Sequence, residues 1–324
     1  MQTEAEINGE REALLERALF HGASLTLENP EYVRTLHALT EAFLKVDLAP
    51  VDVTVEALQI DRAPVEAAIV AREPGVAAGL AELAHLLRGF NVKAAPEKND
   101  GDLIAPGAVL LRARGERAVL LSLERVGLNL VQRMCGIATA TGELAARARA
   151  AGGRARIVAT RKTPWSLLDK RAVHLGGGGT HRLGLSDAIL IKNNHLALLA
   201  EREDEAVRVA LERVWERRGR AAFVEVEVRS EAAALAAAQA FARMRLGEAR
   251  PYPCLVMLDN MTAGEAARVV GALKRAKLLH AVLLEASGRI DEDNVADYAA
   301  SGVDAISVGA LTHSARALDL SQRI

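Results

Sequence analysis

Six short apolar runs recur through the second half of this chain: ARIVAT, DAILIK, AFVEVEV, CLVMLDN, AVLLEASG and DAISVGA. Helix-sized segments separate them, and a spacing of roughly 25 to 35 residues is that of βα units with parallel strands. Few architectures accept such a pattern; a barrel-like sheet and a doubly wound one both do. Most of the runs end in a polar residue or a glycine, namely Thr160, Lys192, Asp259, Ser287 and Gly309. In either architecture these positions mark the carboxyl ends of the strands, where ligands bind.

The first half has a different grammar. Helical periodicity appears near Tyr32 to Lys45 and near Val76 to Phe90, with the strand candidate VDVTVEAL starting at Val51 between them. NDGDLIAPGAVLLRARGERAVLL then reads as antiparallel material, two apolar runs broken by Asn99 to Asp102 and by Arg114-Gly115-Glu116. A long helix is expected from Ser122 to the stop at Gly152-Gly153, bridging the two halves. Gly136 inside it implies close packing or a break.

With 324 residues, 50% of them hydrophobic, the chain can bury a real core, and with only 3% aromatic residues that core must rest on small and aliphatic side chains. A net charge of -1 argues against a nucleic-acid coat. Cys135 and Cys254 lack CxxC spacing, so no disulfide framework or thiolate cluster follows. The first residues, MQTEAEINGERE, are acidic where a secretion signal needs a basic start, and no apolar stretch approaches the roughly 20 residues of a membrane span. A soluble cytoplasmic protein is expected.

Charge is nevertheless concentrated locally. Arg154, Arg156, Arg161, Lys162, Lys170, Arg171, Arg182 and Lys192 face only Asp169 and Asp187 over the same stretch, eight positive charges less two negative, or +6. Arg161 and Lys162 follow one strand, His181 and Arg182 precede the next, and Lys192 ends it, so the cluster reads as a pocket for a multiply anionic small molecule. A lone Lys or Arg is usually a solvated face, the more so for those off the strand ends. Gly176 to Gly179 follow a helix starting near Ser166, whose spacing to Asp169 is a weak capping signal. The four glycines suit backbone approach to an anion or a plain helix stop. His181 is open to three roles: proton donor, hydrogen-bond donor to a carboxylate, or structural histidine. Glu225 and Glu227 lie two apart on one face of a strand and, with Asp259, make an acidic rim or an ion-pair network. His174, His195 and His313 share no metal-ligand spacing.

Beyond these readings, LERVGLNLVQRMCGIATAT, TRKTPWSLLDKRAVHLGGGGTHRLGLSDAILIKNNH, VEVEV, MLDNM, LEASGRI and GVDAISVGALTHSA, in this order, closely resemble the quinolinate phosphoribosyltransferase family. The resemblance implies an α/β fold with an N-terminal α/β sandwich domain, over residues 1–130, and a C-terminal six-stranded α/β barrel, over 131–324, the final residues able to pack back on the first domain. It implies transfer of the phosphoribosyl group from phosphoribosyl pyrophosphate to quinolinate, with loss of pyrophosphate and carbon dioxide, giving nicotinate mononucleotide for NAD biosynthesis. It further implies Mg2+ carried with the pyrophosphate near Glu227 and Asp259, and a head-to-tail homodimer with a shared active site, any higher oligomer being left open.

By the same resemblance Arg161, His181, Arg182 and Lys192, with Arg125 from the partner subunit, bind the two substrate carboxylates. Lys162, Glu227 and Asp259 act at the reacting centre, and Ser287, Gly288, Ser307 and Gly309 cradle the 5′-phosphate. The chain departs from the family pattern in TRKTPW, one residue shorter than TRKTTPG, in Asn193 where KDNH is common, in Arg289, and in a longer segment from Phe241. Three rival readings are a same-fold paralogue from a molybdate-transport setting with another acceptor, a non-catalytic pyridine-carboxylate-binding regulator, and an aldolase-like barrel with a Schiff base on Lys192.

Overall fold

The computed structural model describes residues 4–246, 248 and 251–324 apart from 49 and 50, with side chains from residue 9 onward. In chain order the first elements are α1 (Glu4–Leu19), α2 (Pro30–Asp47), α3 (Val53–Ala57), β1 (Pro64–Ala71), β2 (Gly75–Val76) and α4 (Leu80–Arg88). Then come β3 (Lys93–Pro96), β4 (Leu103–Ile104), β5 (Val109–Glu116), α5 (Arg117–Ala150), β6 (Arg156–Val158), α6 (Leu167–Leu175), β7 (Ile189–Ile191) and α7 (Asn193–Leu196). The remainder are α8 (Glu203–Trp215), β8 (Val224–Val228), α9 (Glu231–Met244), β9 (Cys254–Asp259), α10 (Ala263–Arg275), β10 (Leu283–Ser287), α11 (Val295–Ala300), β11 (Ala305–Ser307), α12 (Ala310–His313) and β12 (Leu320–Arg323).

These elements form two compact units, each assembled from separated stretches, so that no single cut of the chain divides them. One comprises the segment ending at His21, Glu143–Lys162 and Gly178–Ala310; the other comprises Gly22–Gly142, Thr163–Gly177 and Leu311–Ile324.

The second unit is built on an antiparallel sheet ordered β12-β1-β5-β3. The last strand of the chain pairs with β1, Ala68 opposite Arg323. Two expectations are corrected here. The VDVTVEAL segment is not a strand: Asp52 accepts hydrogen bonds from the Thr54 and Val55 amides and caps the short helix α3, a local side-chain bond that outweighs the β preference of alternating valines. Arg114-Gly115-Glu116 is not a turn, because β5 stays paired with β1 as far as Glu116 opposite Pro64, and the following AVLL opens α5. Gly136 is closely packed as expected, since a Cβ there would stand 1.9 Å from the Arg316 carbonyl oxygen.

All six apolar runs form one parallel sheet ordered β6-β11-β10-β9-β8-β7. Successive strands from β7 to β11 are neighbours and β6 returns beside β11, which is the winding of a barrel and excludes the doubly wound alternative. The ladder is open between β6 and β7, where Gly179 takes the vacant edge: its N–H donates to Ile157 and its carbonyl accepts from Ala159. A Cβ at Gly179 would lie 2.8 Å from Val158 Cγ1 and 2.9 Å from the Leu19 carbonyl. The glycine run thus covers the free edge of β6.

Helix α1 plugs the amino-terminal end of this barrel. Leu15, Ala18 and Leu19 join Val158, Ala188, Phe223, Leu255, Leu283 and Ala305 in one buried apolar cluster. Arg11 binds Asp304 through Nε at 3.1 Å and the Val282 carbonyl at 2.9 Å, and Arg156 bonds back to Glu16 at 2.8 Å. Glu16 and Arg11 thus help dock this helix.

Candidate active site

The barrel fold carries the expected residues to one end. Arg161 and Lys162 lie just beyond β6, Lys192 beyond β7, Glu227 near the end of β8, Asp259 at the end of β9 and Ser287 at the end of β10. Register sets Asp259 beside Ser287, and Ser287 beside Ser307. Arg125 lies exposed on α5 in the other unit.

Cations gather on one side. Arg161 and Lys162 are exposed, whereas Arg182 is buried and its Nη1 donates to the Ala188 carbonyl at 3.3 Å. Burial first, then the neighbouring Arg161 charge, push Arg182 below its usual range, with Glu225, Glu227 and Asp187 opposing. Like charges held together at a strand end are an arrangement that an anionic ligand relieves.

The acidic rim is real and crosslinked. Lys192 Nζ is 3.4 Å from Glu227, and Arg229 Nε is 3.2 Å from Asp259. Asn193 donates its backbone N–H to Glu227 at 3.3 Å and its side-chain amide to Asp259 at 3.2 Å. Arg229 was not singled out from the sequence, yet the signal was present: it follows Glu225 and Glu227 at the strand's period of two, one residue past the end of β8.

Beneath the rim sits a second group that sequence reasoning only half saw. His181 Nε2 lies 3.1 Å from Glu225 and 3.2 Å from Glu285, both carboxylates being fully buried. Neither approach is in line for a hydrogen bond, so these five polar atoms have no well-formed partner. Burial opposes charge on His181, but Glu285 and Glu225 pull it upward, to about 9. Burial and Glu285 push Glu225 up from 4.5 to about 7. The Arg182 amide donates to His181 Nδ1 at 2.8 Å. The pull of the two carboxylates favours a charged ring, but a proton on Nδ1 would point at that N–H, so this contact decides for a neutral ring protonated on Nε2, with the additional proton on the carboxylate pair. The three ligand-type atoms lie within 4.8 Å of one another, but a ring whose Nε2 keeps its proton has no lone pair for a metal ion, so the donor set fits a proton better than a cation. Glu285 announced itself only as a lone acid in the apolar run AVLLEASG.

The last strands end differently. Gly288 has φ +105°, and a Cβ there would meet Asn260 Oδ1 at 2.4 Å, so only glycine fits. Ser307 is buried and donates to the Ala286 carbonyl at 3.4 Å; Gly309 follows β11. The Ser166 capping signal fails, for its side chain caps nothing, while Asp169 accepts from the Trp165 amide and pairs with Arg133 at 2.8 Å.

Comparison with known proteins agrees with this arrangement over most of the chain. The family model described as quinolinate phosphoribosyl transferase, C-terminal domain, matches residues 137–323, and that of the N-terminal domain matches residues 52–135. A probable carboxylating nicotinate-nucleotide pyrophosphorylase of Methanothermobacter thermautotrophicus is 40% identical over 284 residues, covering 87% of this chain and 96% of that protein. The human carboxylating nicotinate-nucleotide pyrophosphorylase is 33% identical over 295 residues, covering 90% and 92%. The solved nicotinate-nucleotide pyrophosphorylase of Francisella tularensis superposes with a TM-score of 0.75 at 30% identity, covering 90% of this chain and 96% of that one. With a barrel, its cationic mouth and both halves of the chain matched, the protein belongs to the quinolinate phosphoribosyltransferase family.

Proposed function

We propose that this chain is a carboxylating nicotinate-nucleotide pyrophosphorylase, converting quinolinate and phosphoribosyl pyrophosphate to nicotinate mononucleotide, pyrophosphate and carbon dioxide. The observation that carries the reading is the pairing of exposed Arg161 and Lys162 and buried Arg182 with the Glu227–Asp259 rim in one barrel unit. A dianionic acceptor needs the first, and a developing ribosyl cation needs the second. Retention of both sets speaks against a binding-only regulator.

In this reading Arg161, Arg182 and Lys192 hold the quinolinate carboxylates, with the partner subunit's Arg125 completing the pocket in a homodimer. Guanidinium forks match carboxylate geometry. His181 acts through Arg182, whose amide it accepts. The ring nitrogen attacks the ribose C1 as the C1–oxygen bond to pyrophosphate breaks, and Glu227 and Asp259 offset the positive charge that develops there. Ser287, Gly288, Ser307 and Gly309 receive the 5′-phosphate at the usual phosphate end of a barrel.

The now cationic ring lets the C2–carboxylate bond release carbon dioxide, leaving its electron pair on C2, which takes a proton from Lys162 or from water. Two carboxylates both within reach of the Asn193 amide and backbone are hard oxygen donors suited to magnesium, so Glu227 and Asp259 would hold Mg2+. When bound, Mg2+ neutralises the departing pyrophosphate.

A coupled assay tests the reading: purified protein with quinolinate, phosphoribosyl pyrophosphate and magnesium, following nicotinate mononucleotide and carbon dioxide, with nicotinate as control acceptor. Both products from quinolinate alone are expected. Turnover with another acceptor in preference would favour a same-fold paralogue and refute the assignment.

A further inference from the structure

Asn193 has no charge and no acid–base chemistry, yet both rim carboxylates converge on it. Its backbone N–H lies 3.3 Å from Glu227 Oε2, its Nδ2 lies 3.2 Å from Asp259 Oδ2, and the same Nδ2 makes a longer 3.5 Å approach to Glu227 Oε2. One amide nitrogen carries two hydrogens that diverge, so it can serve two acceptors and set their spacing. Each carboxylate also meets a cation: Lys192 lies 3.4 Å from Glu227 Oε1, the oxygen Asn193 leaves free, and Arg229 Nε lies 3.2 Å from Asp259 Oδ2, the oxygen it shares with the Asn193 amide. Asp259 Oδ1 accepts from Asn260 at 2.9 Å.

Two negative charges therefore face two positive ones, with a neutral amide between them. Each clamp residue is itself held. Asn193 opens α7, whose start is pinned by the Lys192 amide donating to His195 Nδ1 at 2.8 Å, and the Arg229 amide donates to Glu203 at 2.7 Å.

We propose that Asn193 and Arg229 are positioning residues for the ribosyl-donor half of the site. They hold Glu227 and Asp259 spaced and charge-balanced in the free protein, so that the rim does not take a divalent cation until a pyrophosphate-bearing ligand brings one. This rests on the transferase reading given above. Divalent cations prefer several oxygen donors and dehydrate reluctantly, so two carboxylates already engaged by an amide and two cations are a poor site without substrate phosphates.

The test uses Mn2+ alone, titrated into the full free chain and followed by the loss of its aqueous electron paramagnetic signal. Asn193→Asp places a third carboxylate against the other two and is expected to bind Mn2+ at least about tenfold more tightly than the unaltered protein, the effect of one added charge at hydrogen-bond range. Arg229→Ala, at a side chain 62% exposed and therefore safe for folding, is expected to shift Mn2+ affinity in the same direction. Asn193→Ala is expected to raise KM for phosphoribosyl pyrophosphate about tenfold, the worth of one charge-assisted hydrogen bond, with the calorimetric quinolinate Kd unchanged. Equal Mn2+ affinity in all variants, or equal loss of both substrates in Asn193→Ala, would overturn the proposal. A wild-type protein without transferase activity would sink the functional reading alone, because the Mn2+ comparison needs no turnover.

Discussion

Glu225→Gln removes a titrating proton site while preserving its shape, at a position with no exposed surface. Burial and then Glu285 raise the Glu225 carboxyl from 4.5 to about 7, whereas in the unfolded chain it returns to the ordinary value. A folded-state pKa above the unfolded one means that the folded protein holds the proton more tightly. Stability is then greatest below about pH 4.5, declines as pH rises through the window up to about 7, and above it carries the whole cost of an ionised buried carboxylate. At about 1.4 kcal/mol per unit that cost is roughly 3 kcal/mol. Glutamine mimics the protonated acid and does not titrate, leaving Glu285 against His181 Nε2–H. Urea unfolding followed by circular dichroism between pH 5 and 8.5 should therefore show the variant and wild type nearly equal at pH 5. The variant should gain steadily to roughly 3 kcal/mol by pH 8, at a common m-value. A difference that does not change with pH, or one favouring the wild type at pH 8, would mean that the carboxylate pair does not hold the proton.

Arg161→Ala or Arg182→Ala should weaken quinolinate binding by about tenfold or more, as loss of a charged hydrogen-bond donor does, and leave phosphoribosyl pyrophosphate binding nearly intact in calorimetry; equal losses would break the division of the site. Glu227→Gln should lower kcat by about a hundredfold with an unchanged thermal melt, and unaltered turnover would remove Glu227 from the reacting centre. Leu19→Ala should cost about 2 to 4 kcal/mol in urea unfolding if α1 is part of the barrel core, whereas a cost well under 1 kcal/mol would make it a loosely attached segment.

The barrel was legible because its strands are short, largely apolar and regularly spaced, features that do not depend on partners remote in sequence. Where the reading failed, a partner decided. VDVTVEAL carries valines at a strand's period, but Asp52 caps it into a helix and also accepts from Ser122 at 3.0 Å. The true strand PVEAAIVA went unnoticed, since its alanines are poor strand formers; its pairing comes from β5 on one side and from the end of the chain, β12, on the other. The function of α1 was equally hidden, because Leu15, Ala18 and Leu19 look like any amphipathic stripe until Phe223, Leu255 and Leu283 are seen against them.

Within the site, composition showed the cations plainly but merged the acids into one rim, and depth separates them. Glu225 and Glu227 follow one another on the same face of β8, with Arg229 just past its end, and each step toward the carboxyl end changes the solvent around the side chain. Glu225 is sealed off and pressed against Glu285, so its carboxyl is driven toward the neutral form. Glu227, two residues further, is 12% exposed and meets Lys192 and Asn193. Arg229, 62% exposed, reaches across to Asp259. A strand that runs from the sealed core to the open mouth of a barrel thus turns a two-residue repeat into a gradient of burial. The sealed end orders His181 and, through its ring, the Arg182 amide; the end at the mouth faces the place where a positive charge develops. Moving the acid pair one step inward would cost it ionisation, and one step outward would surrender it to water, so the second position from the end is the one at which a carboxylate can be both charged and only partly solvated.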